Sequence, residues 1–315
     1  MTVGDSEADH VRRILLWAAR NGWLRERVPR LSFARRAVRR FMPGEDADAA
    51  LGAAERLAAR GIGVVFTRLG ENLVAIGEAD EVAAHYHRLI DDAAARGLDA
   101  EVSIKLTQLG LDIDREAAFE HCRGLAEHAE RLGSSLWVDM EGSDYTDVTL
   151  DVYARLVAEH PRSGICLQAY LRRTAADVQR LLPSSPSIRL VKGAYDEPAA
   201  IAFRSRAEVD ASYQSLALLI AEHARRGNAR LVLGTHDSGL IDRIASFGAA
   251  VGVPKAVFEI AMLYGIRAGE LARLSGDGYP SRTLIAYGAS WYPWYMRRLA
   301  ERPANLVFAL RQLLP

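Results

Sequence analysis

Cysteine is nearly missing from this chain. Its 315 residues hold two, Cys122 and Cys166. They match no metal-ligand spacing and no disulfide framework, which suits a reducing cytoplasm, and both read as buried thiols. Long apolar runs are missing too, since no window reaches about 18 apolar residues. The start, Met1 to His10, is acidic and polar rather than a basic patch followed by an apolar stretch. Neither a membrane span nor a signal peptide is expected, and the location is read as cytoplasmic, with membrane contact at most peripheral, at the inner face. An excess of either charge is also absent, with 40 Lys and Arg against 40 Asp and Glu. That removes the electrostatic case for nucleic acid and leaves a small molecule as the default ligand.

Several common chemistries lack their residues. Gly61-Ile-Gly63 and Gly276-Asp-Gly278 have no third glycine and no strand-to-helix setting, so neither is a dinucleotide fingerprint, and no Walker sequence occurs. His85 and His87 stand two apart on an expected helix and face different ways. His121 and His128 share a face without a matching acid, so no metal is expected. No serine sits in a nucleophile elbow; Gly142-Ser-Asp and Asp237-Ser-Gly read as loops.

What the chain does have is apolar mass, half of its residues, enough for a large core. From Asp5 to about Arg60 the spacing is helical: Val11, Ile14, Leu15 and Ala18 on one face, then Leu31 to Met42, then the alanine-rich Ala47 to Ala59. We read residues 1–60 as an N-terminal helical arm and 61–315 as the catalytic domain. From Gly61 the texture becomes short apolar runs rich in β-branched residues: Gly63 to Thr67, Glu101 to Lys105, Ser135 to Asp139, Gly164 to Gln168, Ile188 to Lys192, Arg230 to Thr235, Lys255 to Glu259 and Thr283 to Tyr287. Helical spacing fills the gaps, as in Glu78 to Arg96 and Asp210 to Arg226. Alternating strands and helices in eight repeats predict an α/β fold, a (β/α)8 TIM-type barrel, with an open doubly wound sheet as the alternative.

A barrel places its site where strands end. Those ends supply Lys105, Asp139, Gln168, Lys192, His236, Glu259 and Tyr287. Polar residues at strand ends are ordinary because they meet water; a whole ring of them is less so. Arg297 and Arg298 stand behind Trp291, Tyr292, Trp294 and Tyr295. An Arg-Arg pair on a helix is commonly a solvated surface pair, but two guanidiniums beside rings also suit a small carboxylate with an apolar body. Arg189-Leu-Val-Lys-Gly-Ala-Tyr195 and Gly234-Thr-His-Asp237 are loops suited to a polar, phosphate-bearing or heteroaromatic cofactor across the mouth.

In order along the chain, Val102-Ser-Ile-Lys-Leu-Thr-Gln-Leu-Gly-Leu111, Trp137-Val-Asp-Met-Glu141, Leu167-Gln-Ala-Tyr170, Arg189 to Tyr195, Phe258-Glu259 with Met262-Leu-Tyr-Gly265, and Arg297-Arg298 resemble the proline dehydrogenase family, from about Gly61 onward. The likeness is to its short, monofunctional bacterial branch, without a fused aldehyde dehydrogenase module.

The resemblance implies non-covalent FAD, hydride transfer from L-proline to flavin N5, 1-pyrroline-5-carboxylate as product, a quinone as electron acceptor and a separate pyrroline-5-carboxylate dehydrogenase as functional partner. It implies that Arg297 and Arg298 hold the substrate carboxylate with Lys105 beside it, and that Asp139 pairs with these cations. Arg189 would lie near N5. Met140, Gln168, Lys192, Gly193, Ala194, Thr235 and His236 would contact the flavin, and Glu301 would brace the arginine helix. The chain departs from the family pattern where a ring-lining tyrosine falls on Leu284 and another on Trp294, and where Phe258-Glu-Ile-Ala261 replaces Phe-Glu-Phe-Gln. Two alternatives follow: a flavin dehydrogenase of a modified, proline-like amino acid in a specialised pathway, and a catalytically silent flavin-binding barrel.

Overall fold

A computed structural model of the chain describes residues 14–15, 17–19, 21–70 and 73–301. The expected start of the arm, Val11 included, and the end of the expected catalytic domain lie outside the described residues.

Eight parallel strands close into a barrel in chain order. They are β1 (Gly63–Arg68), β2 (Ala100–Ile104), β3 (Leu136–Val138), β4 (Gly164–Gln168), β5 (Ser187–Val191), β6 (Arg230–Gly234), β7 (Phe258–Leu263) and β8 (Ser281–Tyr287). Closure runs along the whole of β1, from Gly63 opposite Arg282 to Arg68 opposite Tyr287. Helices α1 (Gly22–Arg27), α2 (Ser32–Val38) and α3 (Ala47–Ala58) precede the barrel. The helices that follow are α4 (Ile76–Ala95), α5 (Arg115–Arg131), α6 (Thr146–Glu159), α7 (Thr174–Leu181), α8 (Arg206–Ala224), α9 (Ser238–Ala250), α10 (Ala268–Gly276) and α11 (Trp291–Glu301). The expected (β/α)8 barrel behind helical segments is therefore what the chain forms.

Local chemistry sets the helix bounds. Asp46 accepts from Ala49 N at the start of α3, and Asp114 accepts from Glu116 N and Ala117 N at the start of α5. Ser205 and Glu208 form a reciprocal capping box on α8. Each helix then buries one stripe: α4 turns Ala79, Ala83, Tyr86, Leu89, Ile90 and Ala93 inward, a spacing of three and four residues. The bulk of the core lies between these stripes and the outer faces of the strands.

Inside the barrel the alternation of strand residues sends a different set inward. Val65, Trp137, Val232 and Ala261 form a small apolar layer, with Leu284 packed against it. Below it, at the strands' N-terminal ends, lies a layer of charge. Arg230 meets Glu101 Oε1 at 2.6 Å and Glu259 Oε2 at 2.9 Å, and Arg282 Nε meets Glu259 Oε1 at 2.6 Å. Burial pushes the Glu101 carboxyl up, but Arg230 and Arg282 outweigh it and hold Glu101 below the ordinary carboxylate range.

This layer corrects one expectation. Lys255–Val257 is a single 3-10 turn, and β7 begins only at Phe258. Glu259 is thus near the start of its strand, on the barrel floor, and not at the mouth.

Arg230→Met tests the floor. It strips one cation from two buried carboxylates, and breaking a buried pair costs about 3 to 5 kcal/mol. Because Arg282 remains, a loss near the lower figure is expected in denaturant unfolding; a loss below about 1 kcal/mol, the surface-pair range, would mean that the layer is solvated.

Candidate active site

The mouth is built from strand ends. Lys105 directly follows β2, Asp139 follows β3, Gln168 closes β4, Lys192 follows β5, and Thr235 and His236 follow β6. The barrel thus brings together Lys105, Asp139, Gln168, Lys192 and His236 of the strand-end residues that sequence alone placed at one face, but not Glu259 or Tyr287.

At its centre is Arg189, two residues inside the end of β5 and only 3% exposed. Its Nη2 donates to Ser103 Oγ at 2.8 Å and forms a short ion pair with Asp139. Burial disfavours the guanidinium's charge, yet Asp139 more than compensates and the charged form is favoured. Nη1 has no hydrogen-bond partner. The Cys166 thiol nearby is pushed up to about 11 by burial, against the pull of Arg189, and stays a neutral thiol; Cys122 is pushed up to about 12 by burial.

Gln168 is the second buried polar group. Its Nε2 donates to the Glu141 carbonyl at 2.7 Å, while Oε1 has no partner. Glu141 in turn accepts from Thr107 N at 3.2 Å and Thr107 Oγ1 at 2.8 Å, tying the loop after β3 to the turn after β2. Met140 is buried beside it. Gly193 takes φ +128°, and a Cβ there would stand 2.3 Å from the Tyr170 ring. Only glycine fits that pass, with half-buried Ala194 following it. Glu197 accepts from Ser143 N at 2.8 Å and from Ser143 Oγ at 2.6 Å, so the chain after β5 is pinned to the loop after β3.

Lys192 lies between Asp210, in a short ion pair, and Asp237 at 3.0 Å, and Arg206 also meets Asp237 at 3.0 Å. Burial raises the Asp237 carboxyl, but hydrogen bonds from Lys192 and Arg206 outweigh it and hold it far below its ordinary value. Asp237 also caps α9, accepting from Leu240 N. Thr235 is buried, and His236 Nε2 accepts from Leu263 N at 3.0 Å, so that nitrogen carries no proton.

Arg297 and Arg298 are half-buried on α11, unlike a solvated surface pair. The rings ahead of them do something other than expected. Trp291 is fully buried and donates to Glu45 Oε1 at 3.0 Å, and Tyr295 packs on Phe41 with ring centroids 5.8 Å apart. Trp291 and Tyr295 therefore fasten the helix to the segment before α3. Trp294 is buried as well, and the side chain of Glu301 lies outside the described residues. Leu284 faces the lumen, half-buried against the apolar layer.

Tyr287 ends β8 but turns away from the mouth: it is buried in the outer core, and its hydroxyl lies 2.7 Å from His85 Nε2 on α4. Three further histidines make contacts across helices. His87 and His128 stack with Nδ1 atoms 2.6 Å apart, and His121 and His128 do meet acids, Asp80 at 2.9 Å and Asp91 at 2.7 Å. Both acids sit on α4, which the reading of α5 alone did not find. Among the described residues no group of three His, Cys, Asp or Glu is arranged to hold a metal ion. Sequence reasoning also passed over Ser103, Glu141 and Glu197. The first two lie inside motifs already singled out; Glu197 carries no local signal.

A closed parallel barrel with a buried arginine–carboxylate pair beneath a cation-bearing mouth defines a (β/α)8-barrel enzyme that works on small molecules at its strand ends. Residues 50–311 match the proline dehydrogenase family. The chain belongs to that family of oxidoreductases. It is 35% identical over 304 residues to "Proline dehydrogenase 1" of Bacillus subtilis subsp. natto, covering 96% of this chain and 99% of the relative. With the Deinococcus radiodurans "Proline dehydrogenase" it shares 36% over 280 residues, 87% of this chain and 89% of the relative. The fold is similar to that of proline utilization A (PutA) from Bdellovibrio bacteriovorus inactivated by N-propargylglycine, with a TM-score of 0.79 at 23% identity over 86% of this chain and 33% of that one.

His85 generates a pH prediction. Burial, with Arg68 and Arg88 nearby, pushes it down to about 4 from 6.5. The folded protein keeps His85 neutral while the unfolded chain protonates it, so its contribution is complete above pH 6.5 and declines as pH falls toward 4. Between those values wild type should lose melting temperature faster than His85→Gln, which can still bond Tyr287. Parallel pH profiles would mean that His85 titrates normally in the fold.

Proposed function

We propose that this chain oxidises L-proline to 1-pyrroline-5-carboxylate with a non-covalently held FAD, and that the electrons leave to a quinone. The observation that carries the reading is the pair of unused polar atoms at adjacent strand ends, Gln168 Oε1 and Arg189 Nη1. One seeks a donor and the other an acceptor. The edge of an isoalloxazine ring presents both, so the residues present fit the cofactor. Gly193, where the backbone alone passes the Tyr170 ring, suits close approach of the same ligand. Names borne by the relatives, proline dehydrogenase in both organisms, point to the same substrate.

Bound FAD would supply the hydride acceptor at N5, and the chain supplies everything else. Arg189, Gln168, Met140, Gly193, Ala194, Thr235 and His236 would hold the cofactor. Lys192 would join them by exchanging part of its contact with Asp210 and Asp237 for a phosphate. Arg297 and Arg298 would fork the substrate carboxylate. Together with Lys105 they would bring positive charge to the substrate, which would disfavour an ammonium and let its nitrogen enter neutral with the lone pair available. Asp139, held against Arg189, keeps that guanidinium in place and balances its charge. Among the described residues no helix is long and apolar enough to cross a membrane, so a lipid-borne quinone would be met through peripheral contact. The product would pass to a separate pyrroline-5-carboxylate dehydrogenase.

Purified protein should be yellow and release its flavin on denaturation; a colourless protein that takes up no added FAD would end this reading. Arg297→Met or Arg298→Met should leave the flavin bound while each removes a charge-assisted bond of about 1.5 to 3 kcal/mol, raising the apparent proline Kd about tenfold to a hundredfold. Unchanged kinetics in both variants would remove the arginines from the substrate site.

Leu284 favours a second reading, oxidation of a bulkier, proline-like amino acid. Leucine lacks a phenol's volume and hydroxyl, so the wall should accept a substituted or ring-expanded analogue better than proline, by about tenfold to two hundredfold in kcat/KM. Leu284→Tyr should shift that preference back toward proline. If wild type already prefers proline over every analogue and the variant does not improve on it, plain L-proline is the substrate.

A further inference from the structure

One large side chain in the lumen has no part in the roles above. Trp137, on β3, is 1% exposed, and two cations lie over its ring: the Cζ of Arg189 at 5.1 Å from the centroid and that of Arg230 at 5.2 Å. Its Nε1 donates to Glu101 Oε2 at 2.7 Å, and Glu101 is itself bound by Arg230 at 2.6 Å. The indole is thus fixed by its edge to the charged floor. Space for it comes from the neighbouring strand, where Gly164 stands in register with Trp137 and a Cβ would come within 2.3 Å of the indole.

Filling the lumen would require volume but neither feature that this residue has. A filler needs no carboxylate on its edge, and an aliphatic cluster needs no cation on its face. Tryptophan has the strongest attraction for a cation among the aromatic side chains, and the cation here is the one whose Nη2 is committed to Ser103 and Asp139 while Nη1 is unused. The two contacts of Nη2 and a bond with the Cys166 thiol still leave Nη1 itself without a partner to fix it. The indole face, 5.1 Å from Cζ, adds a further electrostatic hold on the group.

We propose that Trp137 is a positioning residue for the redox step: its floor-tethered indole holds the Arg189 guanidinium from below, so that Nη1 stays presented to the cofactor. This rests on the FAD reading and adds a cause to it. A fixed cation near the ring stabilises the more negative, reduced form of the cofactor, so loosening Arg189 lowers the reduction potential. Binding of the substrate carboxylate, which belongs to other residues, is little affected.

The test uses the FAD-loaded enzyme with Trp137 replaced, at that position alone, by tryptophans bearing one to four fluorines. Fluorination drains the negative face of the ring and leaves its size nearly unchanged, so a role in packing would move nothing. The flavin's two-electron potential, its absorption spectrum, and KM and kcat for proline are the readouts. Expected is a stepwise fall in potential along the series, reaching about tenfold in the reduction equilibrium constant, which is about 30 mV for a two-electron couple. The kcat should fall with it, while KM stays within about twofold. Trp137→Phe, which keeps a ring face but loses the bond to Glu101, should fall between wild type and Trp137→Leu. A potential that is flat across the fluorinated series would overturn the proposal and make Trp137 a lumen filler, with the FAD reading intact because wild type is loaded and reducible. A wild type that binds no flavin would remove both.

Discussion

A guanidinium buried inside a β-barrel is tolerable only if its charge is met, and the lumen of this protein is organised around that requirement. Arg189 is 3% exposed and is matched by Asp139. One layer below the apolar belt, Arg230 and Arg282 are matched by Glu101 and Glu259. Three arginines therefore face three carboxylates, and the interior carries no net charge from these groups. Isolated, any one of them would be too costly to keep ionised; paired and hydrogen-bonded, they persist. The arrangement secures position rather than net stability, since well-packed apolar residues could fill the same volume at no greater cost.

Matching inside the lumen also shapes what the mouth does. Lys192 is held by Asp210 and Asp237, on the side of the barrel formed by β5 and β6, whereas Lys105 and the arginines of α11 come from β2 and from beyond β8. The cations read as cofactor-facing are thus set apart around the rim from those read as substrate-facing. Such separation is what a site holding a large cofactor and a small carboxylate side by side requires, because each anion then meets its own cations.

Much of this was legible beforehand where one strand or helix carries its own pattern. All eight strands were, in order, because apolar β-branched runs alternate with amphipathic stretches. The seventh was shifted: Lys255-Ala-Val257 has strand-like residues but follows Pro254 and forms a turn, and no periodicity over three residues distinguishes the two. The error moved Glu259 from floor to mouth. What one element cannot reveal is a partner on another. The acids of His121 and His128 lie on α4, the hydroxyl of Arg189's second bond lies on β2, and the rings of α11 pack onto a segment some 250 residues earlier, as the Trp291–Glu45 bond records. Those facts are properties of the closed barrel and appear only once it closes.

The apolar belt joins these layers in one further way. Leu284, read from the sequence as standing in place of a ring-lining tyrosine, packs against the same small cluster that contains Trp137, and Trp137 meets both Arg189 above and Glu101 below. Interiors are close-packed, so volume removed at one member of so small a cluster is felt by the others. Side chains in contact also contribute non-additively. The wall read as substrate-facing and the arginine read as cofactor-facing therefore share one packing unit. A substitution at Leu284 therefore acts on two things at once, the wall beside it and, through the shared layer, the seat of the Arg189 guanidinium.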